Sequence, residues 1–168
     1  MTKIFTIGHS NHPLPRFLEM LARAEVGAVA DVRSQPVSRW APQFNKEALI
    51  STLEGCGLSY LFMGRELGGR TKITALLIDG KPDYAKMARD EAFREGITRL
   101  VKESARQRVA LMCAERDPIN CHRFLLIARH LAAHGIGVSH ILADGQIENH
   151  ADTERRMIGT KSQADLFG

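Results

Sequence analysis

The chain has 168 residues, of which 44% are hydrophobic and 25% are charged. These values are typical of one globular domain and exclude a disordered or membrane-embedded chain. No apolar run approaches the roughly 18 residues that cross a bilayer, and no signal-peptide pattern opens the sequence. We therefore expect a cytoplasmic protein without a membrane partner.

Charge and cysteine content bear on the kind of partner and on the redox state of the cysteines. The formal net charge of +4 fits a nucleic acid or a nucleotide phosphate as partner, and it fits equally well with a role in solubility. The three cysteines are an odd number, and in a reducing compartment we expect them to be thiols. Any role of a thiol therefore depends on its local surroundings.

The first half of the chain alternates short apolar segments with amphipathic ones. Short apolar runs that end in glycine or polar residues predict strands, and apolar residues at a spacing of three or four predict helices. In chain order we predict a strand at 3–7, a helix at 13–26, a strand at 28–32, a helix at 46–54 capped by Asn45 and a strand at 58–63.

The second half continues this alternation after an irregular stretch at residues 71–82. In chain order we predict a helix at 84–106, a strand at 109–113, a helix at 121–134 and a strand at 138–142. Asp144-Gly145 is a turn signal, which predicts that residues 146–150 pair with the last strand as a β-hairpin.

Strands that alternate with helices form right-handed βαβ units and a parallel sheet. We therefore predict a three-layer α/β fold with a central, mainly parallel, Rossmann-like sheet of about five strands. Residues 1–150 are predicted to form one domain. Residues 151–168 lose apolar periodicity, which predicts a tail with a short helix and a flexible end.

Four of the predicted loops are unusually polar. In open α/β sheets, ligands bind outside the carboxyl ends of the strands, where such loops meet. The four loops are Gly8-His9-Ser10, residues 31–39, residues 66–70 and residues 113–123. Their shared position predicts one site at this edge of the sheet.

The loop at residues 113–123 joins the fourth predicted strand to a helix. Asn120 is placed to cap that helix, with Cys121 as its first residue. Free amide groups and the helix dipole favour an anion there, either a ligand phosphate or a thiolate. Cys121 is therefore expected to be more acidic than Cys56.

Arginine side chains dominate the predicted ligand site. Arg33, Arg39 and Arg123 are expected to converge on one anion, because a guanidinium group is a planar fork suited to phosphate. Asp31 would orient one of them or accept a hydroxyl group, or else it is a solvated loop charge. The predicted ligand-binding residues are Ser10, Asp31, Arg33, Ser34, Arg39, Gly68, Gly69 and Arg123.

The candidates for catalysis are two thiols, two imidazoles and one carboxylate. Glu115 with His122 or His9 would supply acid and base. Cys113 and Cys121 would supply thiols that react singly or form a redox-active disulfide.

Structural interpretations of the same residues remain open. In these interpretations His9 only bonds a neighbouring carbonyl, Cys113 is a buried strand residue, and Arg123 pairs with Glu115. Zinc ligation by Cys113, Cys121 and His122 is a further alternative. The spacing lacks a Cys-x-x-Cys pair, so we predict no metal and no cofactor.

Four ordered motifs make the chain similar to a known family. They are Thr6-Ile7-Gly8-His9-Ser10; Asp31-Val32-Arg33-Ser34 with Pro36, Ser38 and Arg39; Glu66-Leu67-Gly68-Gly69-Arg70; and Cys113-Ala114-Glu115 with Pro118 and Cys121-His122-Arg123. The chain resembles the bacterial family known as domain of unknown function 488, from residue 3 to about 150. The resemblance implies a compact α/β fold with these shared polar motifs and no particular activity.

Three functions are compatible with the sequence. The first is an enzyme that acts on a phosphate-bearing ligand, a nucleotide or a nucleic acid. The second is a module that binds DNA or a nucleotide without chemistry. The third is a thiol redox protein that uses Cys113 and Cys121.

The end of the chain carries a separate motif. Gln163-Ala164-Asp165-Leu166-Phe167 resembles the short peptide by which bacterial replication and repair proteins dock on the DNA sliding clamp. In such a peptide Gln163 would bond at the edge of a pocket that Leu166 and Phe167 fill. The alternative is that Leu166 and Phe167 fold back onto the domain.

Overall fold

The computed structural model describes the backbone of residues 3–167 and the side chains of residues 4–163. Its first half contains β1 (Lys3–Gly8), α1 (Leu14–Arg23), β2 (Ala28–Asp31), α2 (Lys46–Gly55), β3 (Ser59–Phe62) and α3 (Gly64–Leu67). The bounds of the three strands, α1 and α2 agree with the predicted elements to within three residues, whereas α3 was not predicted and includes the start of the expected loop at residues 66–70.

The second half begins with a small hairpin of β4 (Leu77–Ile78) and β5 (Lys81–Pro82). It continues with α4 (Tyr84–Met87), α5 (Glu91–Ser104), β6 (Val109–Cys113), a π-helical run (Arg123–Ala128), α6 (Arg129–Ala133), β7 (Gly137–Ile141), β8 (Ile147–Asn149) and α7 (His150–Phe167). The predicted hairpin is confirmed, because β8 pairs antiparallel with β7.

The main sheet of the described chain has six strands in the order β3-β2-β6-β1-β7-β8. The first five are parallel, which confirms the predicted α/β class. Strand β6 lies between β1 and β2, whereas these two strands are neighbours in the common dinucleotide-binding order. The central position of β6 explains why each of its five residues is buried.

Helices cover both faces of the sheet and form two apolar layers. On one face α1 and α2 pack with Phe17, Leu49 and Leu53 against the sheet. On the other face α5 and α6 pack with Leu100 and Leu131. The side chains of β6 alternate between the layers, and Cys113 points toward the face of α5 and α6.

Two predicted helices differ from the observed ones. The predicted helix at 84–106 is divided into α4 and α5, since Asp90 is extended and begins a new helix. Asn120 does not cap a helix starting at Cys121. It ends a 3-10 turn, Pro118–Asn120, that Asp117 caps by accepting from the Ile119 amide, and Cys121 is extended.

Helix α7 packs on the domain through its first turns. Thr153 and Met157 are buried, and the Arg156 guanidinium donates to the carboxylates of Asp117 and Glu148. Gln163 is exposed on this helix, while the side chains of Leu166 and Phe167 lie outside the described residues. No helix within residues 3–167 is long and apolar enough to cross a membrane.

Candidate functional site

The site lies where neighbouring strands send their connections to opposite faces of the sheet. Strands β1 and β2 lead to helices on one face, and β6 leads to α6 on the other. Such a switch point opens a crevice at the carboxyl ends of the strands. A cleft of about 390 Å³ occupies this place, within the size range of roughly 300–1,000 Å³ of small-molecule sites.

The four predicted loops meet at this edge through close backbone contacts. The amide groups of His9 and Ser10 donate to the carbonyl oxygens of Cys113 and Ala114, at 2.8 and 3.0 Å. A Cβ on Gly8 would overlap the carbonyl oxygen of Glu115. Contacts of this kind need glycine because no side chain fits between the loops.

The loops that follow β2 and α3 are joined in the same way. A Cβ on Gly68 would overlap the hydroxyl oxygen of Ser34, and that oxygen accepts a hydrogen bond of 3.1 Å from the Arg70 amide. A Cβ on Gly69 would lie 2.7 Å from the His122 ring. Gly68 and Gly69 therefore set the distance between loops.

Asp31 and Arg33 form a buried ion pair beside the cleft. The Arg33 guanidinium donates to both carboxylate oxygens of Asp31, at 2.9 and 2.8 Å. Its remaining contacts are the carbonyl oxygen of Phe44 at 2.8 Å and His9 Nε2 at 3.1 Å. Tyr60 donates to Asp31 at 2.6 Å, and burial together with this bond raises the pKa of Tyr60.

His9 is held between Arg33 and its own loop. Its Nδ1 is 2.8 Å from the carbonyl oxygen of Ser10, so Nδ1 carries the proton and Nε2 accepts from Arg33. Burial and the positive charge of Arg33 lower the pKa of His9, although the Ser10 contact opposes this. Its ring stacks on buried Phe44 at 4.7 Å. Both nitrogens of a neutral imidazole are therefore engaged.

Arg123 is fully buried and bonds to the main chain. Its guanidinium donates to the carbonyl oxygens of Glu115 at 2.7 Å and Arg116 at 3.4 Å, and to Thr6 Oγ1 at 3.3 Å. Arg39 is exposed and does not line the cleft. The expectation that Arg33, Arg39 and Arg123 converge on one anion is wrong, because the chain's own groups satisfy the two buried guanidinium groups.

The floor of the cleft contains Cys113, Cys121 and His122. The Sγ atoms and His122 Nδ1 all lie within 4.8 Å of one another, and the three residues are buried. Nδ1 is 3.7 Å from Cys113 Sγ and 3.8 Å from Cys121 Sγ. Nε2 donates to the carbonyl oxygen of Val32 at 3.0 Å, which turns Nδ1 toward the thiols. We name these three residues the Cys–Cys–His cluster.

The two thiols of the cluster differ in acidity. The Cys121 thiol donates to Cys113, and this bond, the nearby His122 ring and the Glu115 amide lower the pKa of Cys113 against the effect of burial. The pKa of Cys121 is raised, because its thiol donates to Cys113 and is buried. The expectation that a helix start makes Cys121 acidic is wrong, because Cys121 lies in extended backbone ahead of the helical run and its thiol donates to Cys113.

Polar side chains surround the cluster at the rim of the cleft. Glu115 is exposed there, and its carboxylate makes no ion pair among the described residues. Arg70 is an exposed cation on the opposite loop. The other polar lining residues are Ser34, Gln35, Ser38, Tyr84 and Asn120. Ser10 does not line the cleft, and it adopts a positive φ of 44° in its loop.

Several of these residues were not predicted as site residues. Arg70 belongs to a motif that the sequence singled out, so its loop was a usable signal. Tyr84 follows the irregular stretch, and no sequence pattern places it at the cleft. Tyr60 donates to Asp31 on the neighbouring strand, a pairing that depends on the register of β2 and β3.

A larger depression of about 620 Å³ lies along α5 and is lined by Glu91, Arg94, Glu95, Thr98, Arg99 and Lys102. These are charged and polar side chains on the solvent face of one helix. Among the described residues it contains no buried titratable group, so it has no chemistry comparable to that of the cleft.

Comparison with known proteins agrees with the motifs. The model of the family described as domain of unknown function DUF488 matches residues 13–130. No curated protein and no solved structure is similar enough to this chain to count as a match. The matched residues include three of the four polar loops.

Proposed function

The chain belongs to the family described as domain of unknown function DUF488, and we propose that its cleft is the active site of an enzyme acting on a small phosphate-bearing ligand such as a mononucleotide. The observation that carries this proposal is the Cys–Cys–His cluster on the floor of a polar cleft. Buried reactive groups in a cleft mark functional sites more often than structural ones.

The size and depth of the cleft favour a small ligand. Cys113 is only 7% exposed, so a reacting atom has to enter the cleft to reach its sulfur. The stacked bases of a duplex cannot do so without leaving the duplex. A free mononucleotide, or one nucleotide turned out of a strand, fits this restriction.

The charges at the rim favour one anionic group on the ligand. Arg70 is the cation among the lining residues that has no carboxylate partner in the described chain, since Arg33 is paired with Asp31. Ser34 and Ser38 line the same cleft, and their hydroxyl groups could donate to such a ligand. Glu115 on the facing loop would exchange a proton with the bound ligand.

Calorimetric titration with inorganic phosphate and nucleoside monophosphates tests ligand binding. Replacement Arg70→Gln should weaken binding at least about tenfold, because a hydrogen bond to a charged group contributes about 1.5–3 kcal/mol. Arg39→Gln is the matched control and should leave binding unchanged. Absence of binding by the intact protein, or binding unaffected by Arg70→Gln, would refute the proposed ligand class.

Product analysis separates an enzyme from a binding module. An enzyme converts the bound ligand, and Glu115→Gln should slow this conversion at least a hundredfold while binding persists. If the intact protein binds ligands but never alters them, the non-catalytic interpretation is correct. Binding and conversion are therefore measured on the same samples.

Thiol redox activity is a second candidate, favoured by the proximity of Cys113 Sγ and Cys121 Sγ within 4.8 Å. Closing a disulfide would release two protons and pass two electrons to an external disulfide, which becomes two thiols. Mass spectrometry after incubation with oxidised glutathione should then show an intramolecular bond that Cys121→Ser abolishes. Absence of this bond refutes the redox candidate.

A further inference from the structure

The donor atoms of the Cys–Cys–His cluster already have the spacing of a metal site. In a tetrahedral zinc site, Zn–S bonds of about 2.3 Å and Zn–N bonds of about 2.0–2.1 Å place sulfur and nitrogen about 3.6 Å apart. His122 Nδ1 lies 3.7 and 3.8 Å from the sulfurs of Cys113 and Cys121. Zinc thus fits the two sulfur–nitrogen distances, and the sulfurs, which lie within 4.8 Å of each other, would settle at about 3.8 Å around the ion.

The imidazole of His122 is oriented as metal ligands are. Its Nε2–H donates to the carbonyl oxygen of Val32, so the lone pair of Nδ1 is directed at the two sulfurs. Most metal-binding histidines are fixed in this way by a carbonyl or carboxylate on the other nitrogen. Gly69 lies against the ring, where an added Cβ would come within 2.7 Å of His122 Cγ.

Both sulfurs are held by the backbone as thiolate ligands are. Cys121 Sγ accepts from the Arg123 amide at 3.4 Å, and the Glu115 amide bonds to Cys113 Sγ. Cys113 ends the central strand β6, and Cys121 is fixed by its amide, which donates to the Pro118 carbonyl at 3.0 Å. Backbone hydrogen bonds therefore fix the position of each cysteine of the cluster.

From this geometry we infer that Cys113, Cys121 and His122 bind one zinc ion, with the fourth coordination position open to the cleft. Two thiolates and one imidazole suit zinc better than a hard cation such as Mg²⁺. Three protein ligands and one open position are typical of catalytic rather than structural zinc. The inference deepens the proposed function, since it assigns a water or ligand oxygen to that position.

Zinc stoichiometry tests the inference directly. Protein purified without chelators should contain about one zinc per chain, and so should the Cys56→Ser control, whose thiol is exposed and outside the cluster. Cys113→Ser and His122→Gln should each retain less than about a tenth of this amount. Full retention by either cluster variant would overturn the inference.

A titration of the unmodified protein does not depend on the folding of variants. After removal of metal, it should take up one equivalent of zinc in competition with a chromophoric chelator and release protons as the thiols ionise. Failure to take up zinc while circular dichroism shows a folded chain would overturn the inference.

Cobalt substitution tests the open position. The cobalt form should show thiolate-to-metal charge-transfer absorption, and added azide should change the visible bands by occupying the fourth position. An unchanged spectrum means that a fourth protein ligand closes the site, which contradicts this part of the inference.

The zinc inference and the proposed function fail in different ways. A chain that binds mononucleotides but takes up no zinc refutes only the inference. A chain that holds zinc but binds no phosphate-bearing ligand refutes only the proposed ligand. A disulfide between Cys113 and Cys121 in the purified protein excludes zinc on the same molecules.

Discussion

Asp31 pairs with Arg33 through two hydrogen bonds of 2.8 and 2.9 Å, and both side chains are at most 5% exposed. The Arg33 guanidinium then holds His9 and the Phe44 carbonyl, so one carboxylate orders the loops after β1 and β2. The pair therefore has a supporting role beside the cleft rather than a ligand-binding one.

Removal of the Asp31 charge should destabilise the fold. Asp31→Asn leaves the buried Arg33 charge unpaired, which typically costs about 3–5 kcal/mol of the free energy of unfolding. Urea denaturation measures this change. Asp79→Asn, in an exposed turn, is the matched control and should change stability by less than about 0.5 kcal/mol. If Asp31→Asn lowered the free energy of unfolding as little as Asp79→Asn does, the supporting role of the Asp31–Arg33 pair would be contradicted.

Gly69→Ala should weaken metal binding through His122. The added Cβ would lie 2.7 Å from His122 Cγ and push the ring away from the thiols. Disturbing the support of a metal ligand lowers affinity about 10–100-fold. Competition with a chelator measures the affinity. Gly55→Ala in α2 meets nothing within 4 Å and should leave zinc affinity unchanged. An equal affinity in both variants would show that Gly69 does not position His122.

A buried histidine should make the stability pH-dependent. Burial first, and then the neighbouring His150, lowers the pKa of His140 to about 3, whereas an unfolded histidine titrates near 6.5. Between these values the unfolded chain binds a proton that the native protein does not. The free energy of unfolding therefore falls as pH decreases from about 6.5 toward 3.

His140→Asn should remove this contribution and flatten the dependence by up to about 1.4 kcal/mol per pH unit. Urea denaturation at pH 7, 6 and 5 measures the slope. His134→Asn, at an exposed position, should keep the slope of the unmodified protein. A slope that is equally steep in the His140 variant would argue against a neutral, buried His140.

Docking of the tail on a sliding clamp stays a prediction. Helix α7 runs through Phe167, so its last turn has to unwind before Leu166 and Phe167 can enter a pocket. The intact protein should bind the clamp of its own organism, and Leu166→Ala with Phe167→Ala should weaken binding at least about tenfold. Ile158 is exposed on the same helix, and Ile158→Ala should leave clamp binding unchanged. Surface plasmon resonance that detects no binding by the intact protein would refute the docking.

The strands could be predicted because their signals are local. The continuous apolar run at residues 109–113 coincides with buried β6, and Asp144-Gly145 forms the predicted turn with Gly145 at a φ of 84°. The division between α4 and α5 was missed because helical periodicity continues across Asp90. Local sequence patterns therefore predict where helices and strands lie better than they predict where a helix is interrupted.

The position of the site could also be predicted, but not the partners within it. Polar loops after parallel strands have to meet at one edge, and four of them do. The ion pair of Arg33 with Asp31 and the hydrogen bonds of Arg123 to main-chain carbonyls depend on three-dimensional packing. The cluster could not be predicted from a short motif either, since residues 114–120 separate Cys113 from Cys121 along the chain.

X-ray absorption at the zinc edge of the purified protein tests most directly whether the Cys–Cys–His cluster is the reacting centre of the cleft. We predict two sulfurs at about 2.3 Å, one nitrogen at about 2.0–2.1 Å and one further light atom in the first shell. A bound mononucleotide should change the environment of the light atom and leave the sulfurs in place. A first shell without sulfur, or a shell with two sulfurs that no ligand alters, would contradict this account.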